Sequence, residues 1–308
     1  MDYFVPNPIY TLEDFRRRFR MRRHVFLRLV NDIPNVNPYF RQTTDATGNL
    51  GFSPHQKLMS AIRMLAYASS ADQIDESMRI SKSTSIENLG EFCRTIVHTY
   101  KDEYLRQPTH EDQNRLLERV ERRGFPGMIG SLDCMHWVWK NCPMGWKRSF
   151  SGKSKKPTIV LEVIASFDTW CGMLSLESWG PKMTSPYSDI HLSSIPSRRA
   201  TLVESIRHPE NAADEYFSTM QEAYYKDVER TFDILQAQFA IIRQPTKGWS
   251  LAKLNSIMMI CIILHNMIVE DERDDYYDGE SDNEDSDPNR SKRACASIYD
   301  GPDFPRDL

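Results

Sequence analysis

Two acidic residues, Asp133 and Glu229, stand in contexts that could support metal-assisted phosphoryl transfer. Asp133 closes the run Gly130-Ser131-Leu132-Asp133-Cys134-Met135-His136-Trp137, at the point where a strand from Met128 to Leu132 is expected to end. A carboxylate at the open end of a strand can face a cleft and bind a hard cation through oxygen. The octapeptide alone fits better an Asp that ends a strand with an Asx turn. Glu229 lies in Asp227-Val228-Glu229-Arg230-Thr231-Phe232, at the edge of a buried helical face. Its carboxylate could look into a sheet, although an isolated helix Glu more often pairs at the surface, here with Lys226 or Arg230.

A second kind of chemistry is suggested between Lys140 and Lys156. Lys140, Lys147, Arg148, Lys153, Lys155 and Lys156 occur there without an acid and are interleaved with Trp146 and Phe150. Cations for phosphate and rings for unstacked bases are what a nucleic-acid channel needs, and a solvated basic loop has the same composition. Cys134, His136 and Cys142 match no structural zinc spacing. No nucleophile elbow organises the serines, histidines and aspartates into a triad.

These residues must be positioned by a mixed architecture. Thr11 with Asp14 reads as a capped helix start leading to an apolar face of Phe15, Phe19, Phe26 and Val30. The other faces carry Arg16, Arg17, Arg18, Arg20, Arg22, Arg23 and Arg28 with no acid among them. Ser53-Pro54-His55-Gln56 starts another helix, a short one spans Asp72 to Met78, and Thr84 with Glu87 starts a third. Three closely spaced helices fit a helix-turn-helix module or an ordinary small bundle. A helix from Thr109 to Arg122 and the turn Gly124-Phe125-Pro126-Gly127 close this helical half.

The period then changes. Met128 to Leu132, Thr158 to Ala165 and Cys171 to Trp179 read as a three-strand meander. Helical spacing returns from Asn211 to Ile242, and a very apolar helix follows Ser250. The predicted domains are a helical region over 1–123, an incomplete nuclease-type domain over 124–269 and an acidic disordered tail over 270–308. Glu270 to Asp287 holds 11 acids and one Arg, too polar to pack.

Composition narrows the class. The 308 residues are 40% hydrophobic and 27% charged, as in a globular protein. Net charge is −4, yet Glu270 to Leu308 carries 14 acids against 5 bases, which leaves +5 on residues 1–269. The longest apolar run, Ile257 to Val269, is too short for a bilayer, so no membrane partner is expected. The start of the sequence shows no secretory signal, and the six scattered cysteines are expected to be reduced.

Several stretches, in this order, resemble the PIF/Harbinger transposases of plants and the nuclease-like proteins derived from them. They are Phe15-Arg16-Arg17-Arg18-Phe19-Arg20-Met21-Arg22-Arg23, Ala61-Ile62-Arg63-Met64-Leu65-Ala66-Tyr67, Gly124-Phe125-Pro126-Gly127-Met128, Asp133-Cys134-Met135-His136-Trp137, Lys226-Asp227-Val228-Glu229-Arg230 and Ile262-Ile263-Leu264-His265-Asn266-Met267-Ile268-Val269. The resemblance covers Met1 to about Arg273. It implies an α+β protein with an N-terminal helix-turn-helix-like region, an RNase H-like core and C-terminal helices. It also implies a site of three carboxylates that holds two Mg²⁺ or Mn²⁺ ions against a DNA phosphodiester.

Asp133 looks like the first carboxylate and Glu229 like the third. The second falls where this sequence departs from the family. Asp189 resembles an earlier, non-catalytic Asp, Ser193 and Ser194 stand where the metal-binding Asp is expected, and Ile195-Pro196 resembles the remnant of the following turn. The expectation is a disabled nuclease-like protein with Asp133 and Glu229, and Asp189 as the remaining metal candidate. The rivals are an active nuclease that recruits Asp189 or Asp168, a non-enzymatic chromatin or protein-interaction module, and a degraded transposon copy. DNA contacts are expected from Arg16, Arg17, Arg18, Arg20, Arg22, Arg23, Lys147, Arg148, Lys153, Lys155 and Lys156. The resemblance further implies a Myb-like DNA-binding partner or a chromatin complex, and a place in the nucleus with the cytoplasm as the alternative.

Overall fold

Capping chemistry starts the helices of the N-terminal part. In the computed structural model, which describes residues 3–5, 7–106, 108–122, 128, 130–151, 155–177, 206, 209–248 and 250–279, Thr11 and Asp14 form a reciprocal capping box for α1 (Leu12–Phe19). The sequence suggests one helix through Val30, whereas Arg20, at φ 63°, ends α1 and α2 (Arg23–Val36) begins anew. Aromatic packing explains the break. In a continuous helix Phe15 and Phe26 would lie about 16 Å apart along the axis, but their ring centroids are 5.5 Å apart. Phe19 joins them, at 4.5 Å from Phe15 and 5.5 Å from Phe26.

Ser53 and Gln56 box the start of α3 (Pro54–Tyr67), with Pro54 in its first turn, as predicted. Ser70 and Gln73 do the same for α4 (Ala71–Met78). The next helix, α5 (Lys82–Tyr104), begins two residues before Thr84, because Ser81 Oγ accepts from the Thr84 amide. Met64, Ala71, Ile74 and Ile80 pack with Phe52, Met78 and Leu89 into one apolar cluster across these three helices. A helix-turn-helix module and a small bundle share that packing.

The chain forms two compact units, Met1–Leu89 with the chain from Glu270 onward, and Gly90–Val269. The boundary expected at residue 123 falls inside the second unit. That unit begins with the rest of α5 and with α6 (His110–Arg122), boxed by Thr109 and Asp112. A meander of β1 (Ser131–Val138), β2 (Thr158–Ala165) and β3 (Cys171–Glu177) follows, antiparallel in the order β1-β2-β3. The mixed α+β class is therefore as expected. The first strand is shifted, however, and Asp133 is its third residue, opposite Val163, instead of its terminus. Alternation carries the strand onward, since Met135 and Trp137 are buried while Cys134 and His136 are exposed. Gly130 allows the strand to start there, because a Cβ would lie 2.7 Å from Ala165 O.

After the single turn α7 (Lys147–Phe150), two helices, α8 (Ala212–Gln238) and α9 (Ala240–Arg243), precede α10 (Leu251–Gly279). The composition from Glu270 onward predicts a tail too polar to pack. The helix instead continues to Gly279, and Asp271 and Glu272 are seated against cations of α1 and α2. Leu251–Arg273 is long and apolar enough to cross a membrane, and 67% of its most apolar window is buried within the protein, as in a core helix.

His265 and Asn266 give α10 its register. Both are fully buried. The Asn266 side chain accepts from the Cys171 amide at 2.9 Å and donates to Cys171 O at 2.9 Å and Tyr104 O at 2.8 Å. His265 Nε2 lies 2.8 Å from Thr169 O, and Nδ1 lies 2.7 Å from Gln238 Oε1, an atom that exchanges places with the NH₂ when the amide turns over. Burial depresses its pKa to about 4, so the ring is neutral. A neutral ring has one N–H, which Thr169 O receives, and the Gln238 NH₂ is therefore the group that must face Nδ1.

A folded-state value of about 4 against an ordinary 6.5 means that the unfolded chain binds the proton more readily between them. Stability should therefore fall as the pH drops from about 6.5 to about 4, by on the order of 3 kcal/mol from this residue. Urea melts from pH 7 to 4 should show that loss in the natural chain, and His265→Gln should lack it. Identical pH profiles for the two proteins would rule the linkage out.

Candidate functional site

Asp133 lies on the same face of β1 as buried Met135 and Trp137, the face against which α8 packs. Two contacts set the register of the helix on the strand. Ser131 Oγ donates to Tyr224 O at 2.9 Å, and Gln236 Nε2 approaches Met135 Sδ at 3.2 Å. Tyr224, Val228 and Leu235 form the buried stripe of α8, which leaves Tyr225 and Glu229, one turn apart, along its edge.

Glu229 is exposed, so its carboxylate is at the surface and not turned into the sheet, and Tyr225 beside it is 42% exposed. The pKa of Tyr225 is pushed up to about 12, first by burial and then by Asp133 and the charge of Glu229. Tyr225 was missed in the sequence, although its position four residues before Glu229 is the signal that places it on the same helical edge. Asp227, also missed, lines a small cavity with Ser131, Tyr224 and Phe167.

Other expected ligands do not join this pair. Asp189 and Lys153 lie outside the described residues. Asp168 is held in the turn after β2, where it accepts from Ser166 Oγ and from the Trp170 amide and pairs with Arg115 at 3.2 Å. Among the described residues no three His, Cys, Asp or Glu side chains converge on a possible metal. Cys134 and His136 are exposed on the strand, whereas Cys142 is buried in the loop beyond it.

The arginine-rich segment is engaged within the protein. Arg16 pairs with Glu272, and Arg22 and His24 pair with Asp271, the first of these two at 3.5 Å. Arg17 pairs with Asp14 at 3.0 Å. Arg18 stacks 4.1 Å above the Tyr10 ring, Arg20 lies 5.0 Å above Tyr67, and Arg23 lies 5.7 Å above Phe4. The expectation of an arginine face without acids is corrected by carboxylates that arrive from α10. Burial raises the pKa of Glu272 against the opposing pull of Arg16 and Arg22.

In the basic loop, Lys147, Arg148, Lys155 and Lys156 are exposed. The rings are used differently from the expectation. Phe150 and Trp139 are buried with centroids 5.1 Å apart, and Trp146 stacks 6.1 Å from Phe150. They hold the loop together, which takes them away from unstacked bases.

Comparison with known proteins gives the family to which this geometry belongs. A family model described as plant transposon protein matches residues 102–180 and 188–276, and a domain of unknown function matches residues 1–34. The chain is 22% identical over 242 residues to "Putative nuclease HARBI1" of Bos taurus, and 21% identical to the protein of that name from Homo sapiens. Each alignment covers 71% of this chain and 68% of the relative. No solved structure matches. The chain belongs to the plant transposon protein family, the Harbinger-like transposases and their nuclease-like derivatives.

The shared phenol can be tested in solution. Asp133→Asn should lower the Tyr225 pKa from about 12 toward the ordinary 10, and Glu229→Gln should lower it less. Titration of ¹³Cζ-labelled tyrosine by NMR, with the resonance assigned through Tyr225→Phe, reads this directly. An unchanged Tyr225 titration in Asp133→Asn would show that the carboxylate is not beside it.

Proposed function

We propose that this chain is a nuclease-like protein derived from a Harbinger transposase, with an RNase H-like core whose metal centre is disabled. The observation that supports the reading is the packing of α8 on β1, which carries Asp133 on the strand and Glu229 on the exposed edge of the helix, with both charges acting on Tyr225. Those are the positions at which the family resemblance puts its first and third carboxylates.

Two-metal phosphodiester chemistry needs a set of carboxylates that offsets the repulsion between two dications and holds the nucleophile in line. The residues described here do not complete that set. Asp133 and Glu229 supply oxygen donors, and Asp168 is committed to Arg115. Such a pair fits weak attachment of one Mg²⁺ or Mn²⁺ with most ligands supplied by water. On this reading the protein acts by binding, in the nucleus, with DNA and a Myb-like or chromatin partner, and not by cleavage.

Calorimetry and plasmid nicking on the full chain test the reading together. Mn²⁺ should bind with a dissociation constant of about 1 mM or weaker, as expected of few charged ligands, and Asp133→Asn and Glu229→Gln should each remove that heat. Supercoiled plasmid should remain intact with Mn²⁺. Nicking abolished by both substitutions would establish an active nuclease, and Mn²⁺ binding that neither substitution changes would remove the inherited site.

A further inference from the structure

We infer that duplex DNA is held through its phosphates by a cationic surface built from two separate chain segments, residues 140–151 and 155–156 of the loop after β1 and the strap 243–248, with Lys247 joining the two. The inference deepens the nuclease-like reading by assigning its polymer contact, and it rests on that reading only for the choice of DNA.

The two segments are stitched together at the far end of β1. Thr246 N–H donates to Val138 O at 2.8 Å, and Lys140 N–H donates to Thr246 O at 2.9 Å. The side chains repeat the pattern. Trp137 Nε1 donates to Gln244 O at 2.8 Å, Trp139 Nε1 to Gly248 O at 2.7 Å, and Asn141 Nδ2 to Lys247 O at 2.7 Å. Lys247 is therefore seated beside the basic loop although more than 90 residues separate them in sequence.

Neither segment carries an acid. No Asp or Glu occurs between Cys134 and Leu161, or between Ile234 and Val269. Lys140, Lys147, Arg148, Lys155, Lys156 and Lys247 are all exposed. A solvated face usually mixes signs, and a patch of cations alone matches the regular negative charge of a nucleic-acid backbone. The described part of the loop is packed on itself. Trp139, Trp146 and Phe150 pack on one another, and a bridge between Ser151 and Pro157 closes its base. With the rings occupied, the surface offers cations to phosphate and no stacking platform to loose bases, which favours a duplex over a single strand. Asp133 lies six residues back along β1, about 20 Å at the rise of a strand, so the contact is separate from the carboxylate pair.

The test is fluorescence anisotropy of a 20-base-pair DNA duplex of arbitrary sequence with the full chain in EDTA, which leaves metal binding out of the measurement. Lys247→Glu should weaken binding at about 50 mM salt at least fivefold and reduce the slope of log affinity against log salt by about one. Lys147→Glu with Arg148→Glu should weaken it further. Lys82→Glu, the same charge change on an exposed residue of α5, should have a much smaller effect. If Lys247→Glu shifts the melting temperature, the milder Lys247→Gln is used and should weaken binding in the same direction. Equal effects of Lys247→Glu and Lys82→Glu, preference for an RNA duplex or a single strand, or no duplex binding by the natural chain would each overturn the assignment. None of these outcomes bears on the Mn²⁺ heats, so the nuclease-like reading stands or falls separately.

Discussion

The pair of buried polar residues on α10, His265 and Asn266, is the constraint on which the second unit depends. Asn266 engages both backbone groups of Cys171 as a neighbouring strand would, and it reaches Tyr104 O with the same amide nitrogen. Such an amide has no neutral alternative partner in an apolar interior, so the helix cannot slide by a turn without stranding several polar groups. His265 extends the constraint to Gln238 at the end of α8. Midway along that helix Ser131 holds it at Tyr224, and its edge is aligned with β1 over the length that contains Tyr225 and Glu229. The carboxylate pair thus depends on hydrogen bonds made by residues that never approach it.

The same economy governs the charges. Every arginine from Arg16 to Arg23 has a carboxylate or an aromatic ring against it. A basic stretch in sequence need not be a basic surface. The lysines of the β1–β2 loop face no acid in their own stretch, and the rings among them are spent on packing. Charge and aromaticity, which looked like two halves of one binding function, are divided between a binding role and a structural one.

Local chemistry was the legible part of the fold. The capping boxes at Thr11 and Ser53, the meander and the apolar stripes of α5 and α8 follow from residues within a few positions of one another. What escaped depends on contacts distant in sequence. The break at Arg20 answers to the packing of Phe15 on Phe26, and the order of Glu270 to Glu272 answers to arginines about 250 residues away. Asp133 was recognised as a site residue but misplaced on its strand, because a polar residue in an apolar run reads as an end even when alternation continues through it. Tyr225 needed only helical geometry applied backward from Glu229, whereas Lys247 could not be grouped with the basic loop until the hydrogen bonds of β1 joined them.

The seating of Asp271 and Glu272 on α1 and α2 also determines how this protein can be handled. A chain trimmed after Val269 to discard its acidic end would lose two carboxylates that neutralise Arg16 and Arg22, and would change from a net charge of −4 to one of +5. Guanidiniums released from partly buried pairs seek other anions. The trimmed protein would copurify with cellular nucleic acid and display a polyanion affinity created by the cut.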